Sequence, residues 1–347
     1  MGKYVIKRIA YMMAVMVILS IIMYMIYGLV PSNRAYTDAS NDIKALKNVL
    51  KPDEVEAKFD ELYLHYQRQY GTDTDNKFVR YLRWVGIAPL YDGSRNGLLQ
   101  GNFGYSYEYQ KPVTEVISTP MVNTIKINIF ATILALGITI PLGIYTAVKK
   151  GSKLDQGVQI ATILGYSMPT FLISILFIWI FCSKLNIFPP SGMKTPGSNY
   201  VGMQKFADEL YYMALPLIVM TFSSLGSMTR YVRASMADAL SMDCIRTARA
   251  KGVREKVVIY SHAFRNALIP IVSLVVGWFL GIFGGSLVIE DMFAINGMGK
   301  LMITSLRTAD YEVVLLMQMF YVFISLFGNL LIDIIYGLVD PRVRVNN

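Results

Sequence analysis

Six stretches of 20 or more residues carry no Asp, Glu, Lys or Arg: Ile9–Val30, Ile127–Val148, Val158–Cys182, Leu210–Thr229, Ala267–Ile289 and Val313–Ile332. A bilayer core requires about 20 apolar residues per helix, and soluble core helices rarely run so long without a charge. Composition agrees. Apolar residues make up 54% of the 347, charged residues only 16%, against about 25% in soluble proteins. Mean hydropathy is +0.42. A soluble globule would lack the charge to cover its surface, and disorder is excluded by the same figures. The expected fold is all-α, a polytopic membrane protein with six transmembrane helices.

The net charge of +9 is informative through its placement and is no nucleic-acid footprint. With the N-terminus inside, the inner segments hold 16 basic residues and five acids, net +11; the longer outer segments hold 16 basic residues and 18 acids. The positive-inside rule then places both termini in the cytoplasm. The 22-residue uncharged run at the N-terminus exceeds a signal-peptide core, and no Ala-x-Ala site follows, so it reads as an uncleaved anchor. Cys182 and Cys244 form no metal-binding or disulfide pattern.

Three parts follow: 1–30, the cytoplasmic N-terminus and first span; 31–120, an extracytoplasmic segment; and 121–347, a five-helix core with an inner loop at 230–266. In the outer segment, Val55, Phe59, Leu62 and Tyr66 recur at helical spacing and give a helix over Asp53–Tyr70. A second helix reads over Lys77–Val85, and Gly93–Gly104 is turn-like. Pro141, Pro169, Pro216 and Pro270 lie within spans; each is a packing kink or a bend in a translocation path. Gly277, Gly281 and Gly285 recur every four residues, a spacing that suits close helix contact.

The inner loop reads as three short helices, Ala234–Leu240, Asp243–Lys251 and Arg254–Asn266. Ser241 or Asp243 can cap the middle one, and Gly252 can end it. A short basic helix across a cytoplasmic face suits a surface that touches a partner; the alternative is an anchor for anionic lipid.

Arg246-Thr-Ala-Arg-Ala-Lys-Gly252, followed by Ser261-His-Ala-Phe-Arg-Asn-Ala-Leu-Ile-Pro270, resembles the cytoplasmic signature loop of ABC-importer permeases. The general form is Glu-Ala-Ala, three residues, Gly, nine residues, Ile-x-Leu-Pro. Here only Ala248 and Gly252 match its first part, in the manner of the dipeptide, oligopeptide and nickel branch. Tyr4-Val-Ile-Lys-Arg8, Gly101-Asn-Phe-Gly-Tyr-Ser106, Phe188-Pro-Pro-Ser-Gly192, Glu290-Asp-Met-Phe293, Gly297-Met-Gly299 and Asp340-Pro-Arg-Val-Arg344 extend the resemblance to the first permease subunit of an oligopeptide importer. Residues 32–70 fall outside it.

The resemblance implies type I ABC-importer permease architecture in a prokaryotic plasma membrane. It implies a second homologous permease, two cytoplasmic ATPase subunits that bind ATP and Mg, and an extracytoplasmic peptide-binding protein. The loop residues Asp243, Arg246, Thr247, Ala248, Arg249, Lys251 and Gly252 would couple the ATPases to the pore. Gln318, Asn329 and Asp333 are candidates for pore lining or helix packing, with Arg344 a possible mate for Asp333. The chain has no Walker A lysine loop, no His-Glu-x-x-His and no Gly-x-Ser-x-Gly, so the expectation is a non-catalytic subunit without a cofactor of its own. Nickel or another small solute in the same branch is one alternative cargo. An ion-coupled secondary carrier is an alternative mechanism, which requires intramembrane charges and a repeat of broken helices.

Overall fold

The computed structural model describes residues 2–29, 34–46 and 52–339. Its helices are α1 (Gly2–Tyr27), α2 (Arg34–Leu46), α3 (Pro52–Gln69), α4 (Lys77–Val85), α5 (Val113–Val148), α6 (Lys153–Ser167), α7 (Thr170–Phe177), α8 (Gly202–Ser241), α9 (Asp243–Ala250), α10 (Glu255–Val257), α11 (Phe264–Gly281), α12 (Leu287–Met292), α13 (Met298–Arg307) and α14 (Tyr311–Val339). Wider π turns extend α7 over Ile178–Lys184 and join α10 to α11 over Val258–Ala263. Strands β1 (Tyr105–Ser106) and β2 (Lys111–Pro112) form a small antiparallel ribbon with Tyr105 opposite Pro112.

Among the described residues, four helical stretches are long and apolar enough to cross a membrane: Val5–Tyr27, Val113–Val148, Gly202–Ser241 and Tyr311–Ile334. Two bent pairs bring the number to six if each is one span. Lys153–Ser167 and Thr170–Lys184 meet at 105°, and Glu255–Leu268 and Pro270–Gly281 meet at 59°. The third span over Val158–Cys182 is thus sharply bent, at one of the prolines read as a kink or a bend. Met168, held at ψ 131°, precedes Pro169, and the proline ring disfavours helical geometry in the residue before it. The fifth span ends at Gly281 rather than Ile289, and Ile289 belongs to the separate α12. Pro141 and Pro216 stay inside continuous helices.

Packing divides the chain into two units. One comprises residues 1–5, 119–301 and 324–347. Its helices approach closely where a glycine leaves room. A Cβ on Gly226 would lie 2.5 Å from the Thr162 carbonyl oxygen, bringing α8 onto α6, and one on Gly143 would lie 2.7 Å from Val232, bringing α5 onto α8. Gly328 of α14 lies against Leu280 of α11 in the same way. The expected Gly277, Gly281 and Gly285 stripe does not do this within the chain. A Cβ on Gly277 or Gly281 would meet nothing within 4 Å outside its own helix backbone, and Gly285 falls beyond α11 against the Gly299 backbone.

The same unit contains a buried carboxylate. Glu290 accepts from Thr124 Oγ1 at 2.8 Å and from the Lys300 amide at 2.9 Å. Thr124 Oγ1 in turn accepts from the Met298 amide at 2.8 Å. Gly297 and Gly299 lie so near this carboxylate that a Cβ would be 2.4 and 3.0 Å from it. Burial raises the Glu290 pKa, against the opposing effect of these donors.

The other unit comprises residues 6–118 and 302–323. Its α4 has the limits read from the sequence. Asn76 Oδ1 caps it through the Phe78 and Val79 amides at 3.0 and 3.3 Å, and Gly86 ends it at φ 91°. Helix α3 spans Pro52–Gln69 against the expected Asp53–Tyr70. It pairs with α2, which the sequence reading did not find. Tyr66 and Tyr70 of α3 donate to Asp42 and Asp38 of α2 at 2.5 and 2.6 Å, and Tyr36 of α2 meets Phe59 edge-on at 5.1 Å. Ser20 of α1 shares a 2.8 Å hydrogen bond with the buried Tyr81 of α4.

Candidate functional site: the signature loop

Helix α8 does not stop at the end of its apolar run. It continues unbroken to Ser241, so the separate helix expected over Ala234–Leu240 is instead the last part of a 40-residue rod. Nothing between Thr229 and Ser241 breaks a helix: the stretch is rich in Ala, Met and Arg and has no Gly or Pro. Ser241 does not cap α9; its Oγ donates to the Asp238 carbonyl at 2.7 Å. Met242 occupies the cap position without a side-chain bond, and Asp243 falls in the first turn of α9, where a carboxylate suits the helix dipole.

Helix α9 has two unlike faces. Ile245 and Ala248 are buried, in a cluster with Ile144 and Ala147 of α5, Val232, Met236 and Ala239 of α8, and Ala267 and Ile271 of α11. Asp243, Arg246, Thr247, Arg249, Lys251 and Gly252 are exposed. Ala248, named among the coupling residues, faces inward and seats the helix. Ile245, overlooked in the sequence, does the same, and the three-residue spacing of these apolar residues was the available signal.

The end of α9 is a Schellman turn. The Gly252 amide donates to the Arg249 carbonyl at 3.0 Å and the Val253 amide to that of Ala248 at 3.2 Å. Gly252 has φ +75° and no atom within 4 Å of a Cβ placed on it. Its requirement for glycine is therefore conformational, not steric. Val253 packs on the same cluster as Ala248. Across the turn, Arg249 grips Glu255 with two bonds, Nε–Oε2 3.2 Å and Nη2–Oε1 2.7 Å. The Arg246–Asp243 pair, at 3.6 Å and fully on the surface, contributes little. Fixed turns at both ends and a buried seam make α9 a rigid projection of α5, α8 and α11, with cationic side chains outward.

A second ionic contact ties α8 to α6. Arg233 Nε and Nη2 reach Asp155 Oδ1 and Oδ2 at 2.7 and 2.9 Å. Asp155, 1% exposed, also accepts from the Gly151 amide at 2.9 Å and Gln159 Nε2 at 3.0 Å. The remaining candidates lie elsewhere on α14. Gln318 and Asp333 are half-buried and Asn329 is exposed. Arg344 lies outside the described residues. Lys126, at the edge of the second span, is paired with Glu209 of α8. No group of His, Cys, Asp and Glu suited to a metal occurs among the described residues.

Similarity to known proteins agrees with this architecture. The chain is 34% identical over 277 residues to the oligopeptide transport system permease protein AppB of Bacillus subtilis, covering 80% of this chain and 83% of the relative. It is 30% identical over 344 residues to a putative peptide transport system permease protein of Brucella abortus, with 99% of each covered. A solved structure of the MetNI methionine ABC transporter in inward-facing conformations shares the fold at TM-score 0.50 and 15% identity. That match covers 66% of this chain and 98% of the other. Residues 139–345 match the family described as binding-protein-dependent transport system inner membrane component. This span contains the end of α5, the whole signature loop and every later helix, and the chain belongs to that family of ABC-transporter permeases.

Proposed function

We propose that the chain is one of two pore-forming permease subunits of an ATP-driven importer of short peptides. It sits in a prokaryotic plasma membrane with both termini in the cytoplasm, held there by its basic inner segments and anionic lipid. A homologous permease completes the pore. Two cytoplasmic ATPases, which carry the ATP and Mg, dock on the signature loops. An extracytoplasmic binding protein delivers the cargo. The chain itself catalyses no reaction and engages no nucleic acid.

One observation carries this reading: α9 is seated by Ile245 and Ala248 while Arg246, Thr247, Arg249 and Lys251 remain exposed. An ATPase surface gripping those side chains moves the helix as a body, because Ile245, Val253 and the Arg249–Glu255 pair leave it no independent play. The displacement passes to α8 and, through Arg233 and Asp155, to α6. Asn329, exposed on an apolar helix, is assigned to the translocation path or to the second permease. Gln318 and Asp333 would serve the same path or the packing around it. Peptide is favoured over nickel because the relatives compared above are named as peptide permeases.

The test is purification of the tagged chain from its native membrane in mild detergent, with partners identified by mass spectrometry. Recovery of a second permease and P-loop ATPases is expected, and their loss on Arg246→Glu/Arg249→Glu substitution places the contact on α9. A chain that purifies alone while other membrane complexes survive, together with ATP-independent uptake, would return the secondary carrier.

A further inference from the structure

The unit formed by residues 6–118 and 302–323 encloses a cavity of about 650 Å³ that the coupling mechanism does not use. Its charge is one-sided. Arg34, Lys77, Arg80 and Arg83 line it, against Glu312 as the only acidic side chain in the wall. Two of these cations are neutralised: Arg34 pairs with Glu312 at 2.8 Å and Arg83 with Asp73. The other two are not. Arg80 bonds only to the Thr72 and Thr74 carbonyls, and Lys77, exposed, has no ionic partner among the described residues. They stand three residues apart on α4, on one side of that helix. Arg34 is committed elsewhere as well: its Nε lies buried 3.8 Å from the Asp38 carboxylate and its guanidinium stacks on Tyr70 at 4.0 Å.

The rest of the wall is rings and amides. Tyr63, Tyr70, Trp84 and Tyr105 contribute faces, and Gln67, Asn96 and Asn102 contribute paired donors and acceptors. Among the described residues of the wall, the large aliphatic side chains are Leu90 and Leu315. A lipid headgroup would satisfy the cations, but its acyl chains would find little here to lie against. A free phosphate would use the cations and leave the rings and amides idle. A short peptide with a free carboxylate uses all three: the carboxylate meets Lys77 and Arg80, the backbone meets the amides, and side chains meet the rings.

We infer that this cavity is a binding site for the free C-terminal carboxylate of a short peptide, with Lys77 and Arg80 as its anchors. The inference rests on the peptide reading proposed above and extends it to a site on the permease itself.

The test uses the full chain, without ATPases or binding protein, in phosphatidylcholine nanodiscs. The sequence has three tryptophans; Trp179→Phe and Trp278→Phe leave Trp84 in the cavity wall as sole reporter. Trialanine is titrated against its C-terminal amide, with equilibrium dialysis of labelled trialanine as a second readout. Saturable binding is expected, weaker by tenfold or more for the amide and by about fivefold or more in Lys77→Gln, a surface change that removes no internal bond. Equal affinity for acid and amide, indifference to Lys77→Gln, or no saturable binding by either readout would overturn the site. So would displacement of trialanine by phosphatidylglycerol in the disc, which would give the cavity to a headgroup. Loss of the site with ATP-driven peptide uptake intact in the assembled complex would leave the importer reading standing; binding without such uptake would separate the two in the other direction.

Discussion

Arg233 and Asp155 meet through two parallel hydrogen bonds of 2.7 and 2.9 Å, and the carboxylate is 1% exposed. The planar guanidinium matches the carboxylate fork, a geometry that lysine does not reproduce. Asp155→Asn leaves a partly exposed guanidinium facing a neutral amide, and a loss of about 1–3 kcal/mol is expected. The reading is the midpoint of thermal unfolding in detergent. Arg233→Lys should recover only part of the loss, and full recovery by lysine would show that the second bond contributes nothing.

At Gly252 the positive φ and the open space around the Cβ position make separate predictions. Alanine there should cost about 1–2 kcal/mol through backbone strain alone, asparagine distinctly less, and valine most. Membrane insertion should be normal in all three, while peptide uptake by the complex should fall in the order asparagine, alanine, valine. Uptake unchanged by valine would remove the turn from the coupling path.

Glycines in the helices should divide by their neighbours. Gly226→Ala drives a methyl into the Thr162 carbonyl, and forced separation of α6 and α8 should cost about 1–3 kcal/mol in the isolated chain. Gly277→Ala and Gly281→Ala, which meet nothing within 4 Å, should leave the isolated chain as stable as before. If these two exposed glycines lie against the second permease, the same changes should weaken its co-purification. Destabilisation of the isolated chain by Gly281→Ala would contradict the open surface seen there.

The α2–α3 hairpin should respond to alkali. The hydrogen bond to Asp42 and the negative charges nearby raise the Tyr66 pKa to about 12, and burial together with Asp38 raises that of Tyr70. Both folded values exceed that of an unfolded tyrosine, so the neutral phenols are the stabilised form. Their contribution is complete below about pH 10 and is lost as pH rises through the folded values. Phenolate absorbance of the whole chain should therefore show a late component that moves toward pH 10 in Asp42→Asn.

Helices α4 and α2 show what the sequence does and does not disclose. Helix α4 announces itself through large apolar residues on one side, and its capping asparagine and terminal glycine emerge with the structure. Helix α2 buries Ala35 and Ala39, residues too small to mark a face, and its bonds to Tyr66 and Tyr70 run from phenol to carboxylate, which hydropathy does not register. The break at Met168–Pro169 was visible as a proline, yet hydropathy alone could not say whether it kinks a helix or turns it through 105°. In the signature loop, Gly252 and the basic residues were legible by resemblance. The partnership of Arg233 with Asp155 was not, because 78 residues separate them and only tertiary packing brings them together. The facing of Ala248 was not legible for a related reason: a small residue in a basic helix fits an outward or an inward position equally well until its neighbours are known.

The unbroken course of α8 restricts how its length can drift in evolution. Along 40 residues it places Gly226 against α6, Arg233 at Asp155, and Val232, Met236 and Ala239 in the seat of α9. Inserting one residue near its middle would turn everything beyond by about 100° and shift it by about 1.5 Å, breaking all of these at once. Seven residues would restore the facing to within about 20° but carry the signature loop roughly 10 Å along the axis. Related chains should therefore differ in the segments around this helix, while the number of residues from Gly226 to Gly252 stays fixed.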